Sequence, residues 1–283
     1  MGGWRKLGII AGGGALPARI ANERKTQGQP FHVVRISGSA DKGTEGFAGD
    51  DFALGEAGKI LKSLKDNQCD AVCFAGIVRR PDFSTLRVDW RGAALMPKIL
   101  AAAAQGDGAI LNVLVDMLEA ENFLVIGADE VVRELTAPAG VLGAHAPDEG
   151  DRADIRKAAA IIKALGPFDV GQGAVVAGGH VLAIEAAEGT DAMLLRCADL
   201  RKDSPDANKR HGGVLAKRPK PGQELRVDLP AIGPQTIENA AAAGLSGVAV
   251  EAGAALILNG PEVVEKADAL NLFVYGFSSK EVE

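Results

Sequence analysis

The sequence of this chain predicts an α/β fold in two domains, and three observations lead to that prediction. Apolar strand-like segments alternate with amphipathic helical segments along the 283 residues, the pattern of crossover units on a parallel sheet. A glycine-rich turn, Gly12–Gly14, joins the first strand to the first helix. A non-periodic stretch of small residues, 143–150, forms a predicted linker or hinge. It separates an N-terminal Rossmann-like domain (1–142) with a parallel sheet from a C-terminal mixed α/β catalytic domain (151–283).

Apolar periodicity gives the N-terminal elements in order. Strands are predicted at KLGIIA, FHVVRI and DAVCFAG, with a helix after each of the first two. A loop rich in Arg, Pro and Asp follows, and then two helices, from Ala93 to Ala104 and from Ala109 to Glu121. The segment ENFLVIGADE returns to a strand and a turn.

The C-terminal elements follow from the same patterns. An amphipathic helix, ADIRKAAAIIKALG, opens the domain and ends at Gly166. Further helices are predicted after Asp191, over Pro234–Ala243 and at PEVVEKADAL. Strands are predicted at GAVVAGG, HVLAIEA, GGVLAK, ELRVDL, SGVAVEAG, AALILNG and LFVYGF.

Composition excludes several classes of protein. The net charge of −6 argues against a nucleic-acid partner, which requires a clustered basic face. No secretory leader and no uninterrupted apolar run of membrane-spanning length is present. Three cysteines do not make a disulfide framework, and Cys69 and Cys73 are predicted to be buried reduced thiols. We therefore expect a cytoplasmic protein.

The segment GGHVLAIEAAEGTDAML, 178–194, gathers polar groups where a strand becomes a helix. Glu188, Thr190 and Asp191 lie at that junction. Carboxylate oxygens beside free helix N–H groups suit Mg²⁺ and a phosphate ester. The alternative is that these residues only cap the helix.

Gly12, Gly13 and Gly14 let a backbone approach a phosphate closely, ahead of a helix N-terminus. As a dinucleotide fingerprint the turn is poor, because Pro17 occupies the position of the third glycine and the second strand ends without an acid. A nucleotide or phosphate contact and a purely structural turn both stay open. A nicotinamide dehydrogenase is less well supported.

The segment KRPKPGQELRVDLPAIGPQT brings the cations Lys217 and Lys220 near Asp228, just before a helix start. A carboxylate there can hold Mg²⁺ or position an attacking water. The alternatives are that the basic run is only a solvated surface loop and that Asp228 is only a turn residue. Gln172 lies between two glycines. Its amide could form hydrogen bonds with a polar ligand such as the edge of a uracil base, or it could cap a strand.

Other catalytic patterns are missing from the sequence. The four histidines have no zinc spacing, and neither a GxSxG elbow nor a P-loop lysine motif is present. With these classes of active site set aside, the sequence favours magnesium-assisted chemistry on a phosphate or pyrophosphate.

These segments together resemble a known family. GIIAGGGALP, FAGIVRRPDFSTLRVD, EAAEGTDAM and KPGQELRVDLPAIGPQT are similar to the LpxI-type UDP-2,3-diacylglucosamine pyrophosphatases of lipid A biosynthesis, nearly end to end. The combination of EGTDAM with RVDLPxIG is specific, whereas the glycine turn alone is not.

The resemblance implies a cytoplasmic, Mg²⁺-dependent enzyme that holds its ligand between two domains. It would cleave UDP-2,3-diacylglucosamine to UMP and 2,3-diacylglucosamine 1-phosphate (lipid X). The family's catalytic aspartate corresponds to Asp228. The chemistry of the carboxylates, placed on the EGTDAM and RVDLP motifs, makes Glu188, Asp191 and Asp228 the expected metal ligands. The expected substrate contacts are Gly12, Gly13, Gly14, Gln172, Thr190, Lys217 and Lys220.

Several alternatives stay open beside this expectation. One is a Rossmann-type NAD(P)-binding oxidoreductase, and another is a non-catalytic lipid or nucleotide-sugar carrier. A homodimer and peripheral contact with the inner membrane surface are compatible with the sequence. Acyl-chain preference and the number of metal ions are not given by it.

Overall fold

The computed structural model of the protein describes residues 3–202 and 212–283, and they divide into two compact units. Unit 1 comprises Met1–Arg133 and Glu224–Asp228, and unit 2 comprises Glu134–Gln223 and Leu229–Glu283. The segment 143–150, for which a hinge is predicted, belongs to unit 2. The sequence also predicts a charged loop from Leu200 to Arg210, and most of it lies outside the described residues.

Unit 1 is built on a parallel sheet flanked by helices. Its strands are β1 Leu7–Ala11, β2 Phe31–Ile36, β3 Gly49–Phe52, β4 Ala71–Ala75 and β5 Leu124–Val125. Its helices are α1 Leu16–Thr26, α2 Ala57–Asp66, α3 Trp90–Ala103, α4 Asp107–Ala120 and α5 Ala128–Val131. The strand order β3-β2-β1-β4-β5 is that of doubly wound nucleotide-binding sheets. The predicted Rossmann-like parallel sheet is therefore confirmed.

The core of unit 1 is formed where α2 and α4 cover the central strands. Leu64 of α2 and Leu118 of α4 are fully buried against Val34 and Val72. A Cβ at Gly8 would lie 2.3 Å from Leu64 Cδ2, so the close approach of α2 to β1 requires glycine there.

Unit 2 is a mixed α/β unit, as predicted. Its strands are β6 Gly140–Leu142, β7 Gly173–Ala177, β8 His180–Ile184, β9 Val214–Lys217, β10 Ala231–Ile232, β11 Gly247–Glu251, β12 Leu256–Ile257 and β13 Phe273–Phe277. Its helices are α6 Glu149–Leu165, α7 Gly189–Lys202, α8 Pro234–Ala242, α9 Gly260–Ala269 and α10 Ser279–Val282.

The main sheet of unit 2 has six strands in the order β6-β13-β11-β9-β7-β8. Strands β9, β11 and β13 are parallel, β7 is antiparallel to β9, and β8 is antiparallel to β7. Strand β8 therefore runs in the same direction as β9, and the two end at the same edge. Helix α6 covers one face of this sheet, and α7, α8 and α9 cover the other.

One predicted strand, ELRVDL, is a turn in the structure. The N–H groups of Val227 and Asp228 both donate to the carbonyl of Glu224, at 3.2 Å each. The guanidinium of Arg226 binds the Glu224 carboxylate two residues earlier, which closes the turn. The alternation of apolar and polar residues that suggested a strand thus comes from a locally folded segment.

None of the described helices is long and apolar enough to cross a bilayer.

Candidate functional site

Glu185 and Lys217 lie together at the edge of the unit 2 sheet where β8 and β9 end. Glu185 directly follows β8, and Lys217 is the last residue of β9. Thr190 lies in the first turn of α7, which follows β8 after a short loop. Ligands of α/β proteins bind at such strand ends.

These three side chains form a buried polar group, the 185/190/217 cluster. The Lys217 ammonium donates to Thr190 Oγ1 at 2.6 Å, and the Thr190 hydroxyl donates to Glu185 Oε1 at 2.7 Å. Lys217 Nζ lies 3.6 Å from Glu185 Oε2, and the two side chains are 7% and 11% exposed. The ammonium also donates to the carbonyl of Ala231 at 3.4 Å. The cluster holds one positive charge in a fixed place beside the first turn of α7.

The cluster is incomplete in one respect. Glu185 Oε2 is buried and makes no hydrogen bond to any described residue. Buried polar atoms without a partner are rare and costly, and they concentrate at functional positions. The cluster is therefore the strongest candidate site in unit 2.

Gly171 and Gly173 explain how Glu185 fits. A Cβ at Gly173 would lie 2.6 Å from Glu185 Oε2, and one at Gly171 would lie 2.0 Å from the carbonyl oxygen of Glu185. The glycines on either side of Gln172 thus clear space for Glu185. The backbone carbonyl of Gln172 accepts the N–H of Arg218 at 3.0 Å, and a ligand contact for its side chain stays a prediction.

Glu188 and Asp191 are each bound by a neighbouring side chain. Glu188 accepts from Arg196 at 2.7 Å, and its own backbone N–H and Arg196 lower the pKa of its carboxyl. Asp191 accepts from the Asn239 amide of α8 at 2.9 Å. Carboxylate oxygens suit Mg²⁺ in kind. Within residues 3–202 and 212–283, however, no group of three or more His, Cys, Asp or Glu is arranged to hold a metal. The described geometry thus offers no preformed metal cluster, and the magnesium site stays a prediction.

The basic segment 217–220 is not a solvated loop. Lys220 forms an ion pair with Asp169, and Arg218 lies 2.9 Å from Glu251 Oε2. The side chains of all three cations in this segment are nearly buried. Lys217 and Lys220 are therefore part of the folded unit, and their contacts with substrate stay a prediction.

Asp228 lies in the turn 224–228, which belongs to unit 1. Arg226 anchors this turn by binding Glu119 of α4 at 2.7 Å and the carbonyl of Val125 at 3.4 Å. Val227 packs against the apolar core of unit 1. The hydrogen bonds from Arg226 also lower the pKa of Glu224. The structure therefore places Asp228 in a different unit from Thr190 and Lys217.

The backbone N–H groups of the glycine turn donate hydrogen bonds to other parts of the protein. Gly12 donates to the carbonyl of Ala75 at 2.8 Å, Gly13 donates to that of Ile77 at 2.9 Å, and Gly14 donates to the Asp41 carboxylate. Gly14 has φ of +88°, a conformation that favours glycine. These bonds support the structural interpretation of the turn. Substrate contact by Gly12, Gly13 and Gly14 stays a prediction.

A Ser–His–Asp group in unit 1 does not have triad geometry. Asp50 Oδ2 and Ser63 Oγ both approach the same nitrogen, His32 Nε2, at 3.1 and 3.2 Å, and Ser63 donates directly to Asp50. A catalytic triad places serine and aspartate on opposite nitrogens of the ring. Burial also lowers the pKa of His32. This group is a structural network.

The cysteines are free and buried, as predicted for Cys69 and Cys73. Burial raises the pKa of Cys69 to about 11 and that of Cys73 to about 12. Both thiols are therefore unreactive at neutral pH.

Sequence reasoning found Thr190 and Lys217 but missed Glu185. The signal was present, since Glu185 is a carboxylate that ends the apolar alternation of VLAIEA.

Similarity to known proteins extends over almost the whole chain. The model of the LpxI N-terminal domain matches residues 6–135, and that of the LpxI C-terminal domain matches residues 138–275. A UDP-2,3-diacylglucosamine pyrophosphatase LpxI from Caulobacter vibrioides is 49% identical over 277 residues, which cover 98% of this chain and 99% of the relative.

Proposed function

The chain belongs to the LpxI family, and from that membership we propose that it hydrolyses UDP-2,3-diacylglucosamine in lipid A biosynthesis. Water attacks the pyrophosphate, and the products are UMP and 2,3-diacylglucosamine 1-phosphate (lipid X). The observation that supports this at the site is the buried ammonium of Lys217, held beside the start of α7 by Thr190 and Glu185.

A fixed positive charge suits this chemistry. The pyrophosphate is anionic, and negative charge moves onto the departing UMP as the bond breaks. A preorganised donor stabilises that charge without having to reorganise during the reaction. We assign Lys217 and Thr190 to the phosphate, and Glu185 to positioning Lys217.

Asp228 is the proposed catalytic residue. Its carboxylate would accept the proton of the attacking water, the role of a general base. Lys220, Gln172 and Gly12–Gly14 are further proposed substrate contacts, on the sequence patterns described above.

Magnesium is the proposed cofactor. When bound, Mg²⁺ would neutralise charge on the pyrophosphate, with ligands among Glu188, Asp191 and Asp228. The proposal further includes a cytoplasmic location, a ligand held between the two domains and the option of a homodimer, which sedimentation would test.

The catalytic assignment is tested with Asp228→Ala. We expect loss of UMP release, measured by chromatography, while far-UV circular dichroism and substrate binding stay at the wild-type level. Asp116→Ala, which removes an exposed carboxylate of α4 in the same unit, serves as the matched control and should keep activity.

Chelation tests the cofactor separately. EDTA should abolish wild-type UMP release, and added Mg²⁺ should restore it. Activity that survives both Asp228→Ala and EDTA contradicts the proposal. Substrate binding without any UMP release by the wild-type protein points instead to a non-catalytic carrier.

A further inference from the structure

The outward face of helix α3 is apolar along its whole length. The exposed positions Trp90, Ala93, Ala94, Pro97, Leu100 and Ala101 recur at helical spacing and fall on one side of the helix. Trp90 is 76% exposed. Gly92, Ile99 and Ala102 are buried on the opposite side. Helix α3 is thus apolar on both sides, and its outer side has no partner among the described residues.

Basic side chains border this apolar face. Arg91 and Lys98, seven residues apart, lie on the same edge of α3. In the part of the chain that the structure describes, Lys98 forms no ion pair, and neither do the exposed Arg79 and Arg87. Arg79, Arg87 and Lys98 are therefore available to an anionic partner, whereas Arg91 pairs with Glu121 of the same unit.

The loop before α3 extends the same surface. Arg80 donates to the carbonyl of Ala103 at the end of α3, whereas Asp89 caps its first turn. The loop therefore runs along the length of the helix. It carries Ile77, which is 72% exposed, next to the exposed Val78.

We propose that residues 77–104 form a docking surface for an anionic lipid bilayer. This inference rests on the proposed function and deepens it, since a diacyl substrate resides in such a bilayer. An exposed apolar helix face that carries a Trp and is bordered by cations can bind a membrane by apolar insertion together with electrostatic attraction.

Charge selects a bilayer over a second copy of the chain. Residues 77–104 contain five basic and two acidic residues, a formal charge of +3 within a chain of −6. Arg80 and Arg91 pair with Asp107 and Glu121 outside this segment, which leaves Arg79, Arg87 and Lys98 without an ion pair to any described residue. A two-fold dimer through this face would bring these three cations near their copies on the second chain, because such interfaces pair the same patch on both copies. An anionic lipid surface instead complements it.

The test uses the full-length protein and large unilamellar vesicles without substrate. Trp4→Phe leaves Trp90 as the only tryptophan, since the chain has two. We expect co-sedimentation with vesicles of phosphatidylglycerol and phosphatidylcholine, a blue shift of Trp90 emission, and loss of both in 0.5 M salt, a concentration chosen because the Debye length there is only about 4–5 Å.

Two variants separate the apolar and the electrostatic contributions. Trp90→Ser with Leu100→Ser should abolish vesicle binding, and Arg79→Glu with Arg87→Glu should weaken it on the order of tenfold or more. Phe168→Ser removes a side chain of unit 2 that is 74% exposed, so it should leave binding unchanged. Circular dichroism checks that each variant is folded.

Three outcomes would overturn the proposal. One is no binding to anionic vesicles at low salt. Another is a dimer in sedimentation that Trp90→Ser with Leu100→Ser dissolves, which would make a second copy the occupant. The third is that Trp90→Ser with Leu100→Ser raises the KM for a short-chain soluble substrate while vesicle binding stays intact. That result would mean that this face binds the acyl chains of the substrate rather than a bilayer. Vesicle binding without UMP release would leave the docking surface in place and reject the proposed function.

Discussion

At the scale of single residues, Glu185 is the counter-charge that holds the Lys217 ammonium in place. The ammonium is nearly buried, and its hydrogen bonds go to a neutral hydroxyl and a carbonyl. Glu185, 3.6 Å away, supplies the opposite charge. A buried charge that loses its partner is strongly destabilising, whereas an exposed ion pair contributes little.

Glu185→Gln tests this role. The amide keeps the size of the side chain and the acceptor for Thr190 but removes the charge. We expect unfolding in urea to become easier by about 3 kcal/mol, and kcat for UMP release to fall. A second readout is the KM for the substrate, which should rise because Lys217 is no longer held in place by its counter-charge.

Glu188→Gln is the matched control. It removes the charge of a more exposed carboxylate, 33% exposed and paired with Arg196 near the protein surface. Such a pair is worth about 0–1 kcal/mol. Equal destabilisation by the two substitutions would contradict the assigned role of Glu185.

Sequence reasoning could identify Thr190 and Lys217 because each lies next to a predictable boundary, a helix start and a strand end. It could not show that their side chains meet, since 27 residues separate them. It left open whether Gln172, between its two glycines, contacts a ligand or caps a strand, and it did not predict that these glycines make room for Glu185. That requirement is set by a strand neighbour that the local sequence does not reveal.

At the scale of elements, the turn 224–228 sets the position of Asp228. Arg226 joins the turn to Glu119 on α4 and to the carbonyl of Val125, the last residue of β5. Within the turn it also binds both oxygens of Glu224. One guanidinium therefore fixes the backbone two residues before the proposed catalytic aspartate.

Arg226→Ala is expected to reduce UMP release by about tenfold or more, because small displacements of a reacting group are costly. The Tm should change little, since the Arg226 side chain is 35% exposed. Arg5→Ala, which breaks an exposed ion pair with Asp70 in the same unit, is the control and should keep activity. Wild-type kcat in Arg226→Ala would show that the turn holds its place without this anchor.

The elements that sequence predicted well are the buried ones. Strands β1 and β4 are continuous apolar segments, and β2 is apolar except for His32 and Arg35. Their burial follows from a sheet covered on both faces. Strand β3, GDDF, was missed because it is an edge strand with two aspartates. ELRVDL was taken for a strand because alternation alone does not distinguish a strand from a turn closed by Glu224 and Arg226.

At the scale of the molecule, each unit has its own apolar core. Leu64 is fully buried in unit 1, and Leu215 is fully buried in unit 2. Chains with separate cores often unfold in more than one step.

We therefore expect two transitions in calorimetry, and we expect Leu64→Ala and Leu215→Ala to lower different ones. Each substitution should cost about 2–5 kcal/mol. Leu270→Ala, at a partly exposed position of unit 2, is the control and should shift neither transition appreciably. One transition that moves equally in both core variants would contradict this expectation.

Residues Glu224–Asp228 belong to unit 1, although the chain around them belongs to unit 2. This arrangement limits how the gene can be divided and recombined. The chain passes between the units three times, after Arg133, after Gln223 and after Asp228. A gene fragment encoding 134–283 would contain the codon for Asp228 but lack Glu119 and Val125, which anchor its turn. Neither half of the gene can therefore carry the complete proposed catalytic turn to a new partner by shuffling, and the two halves must be passed on together.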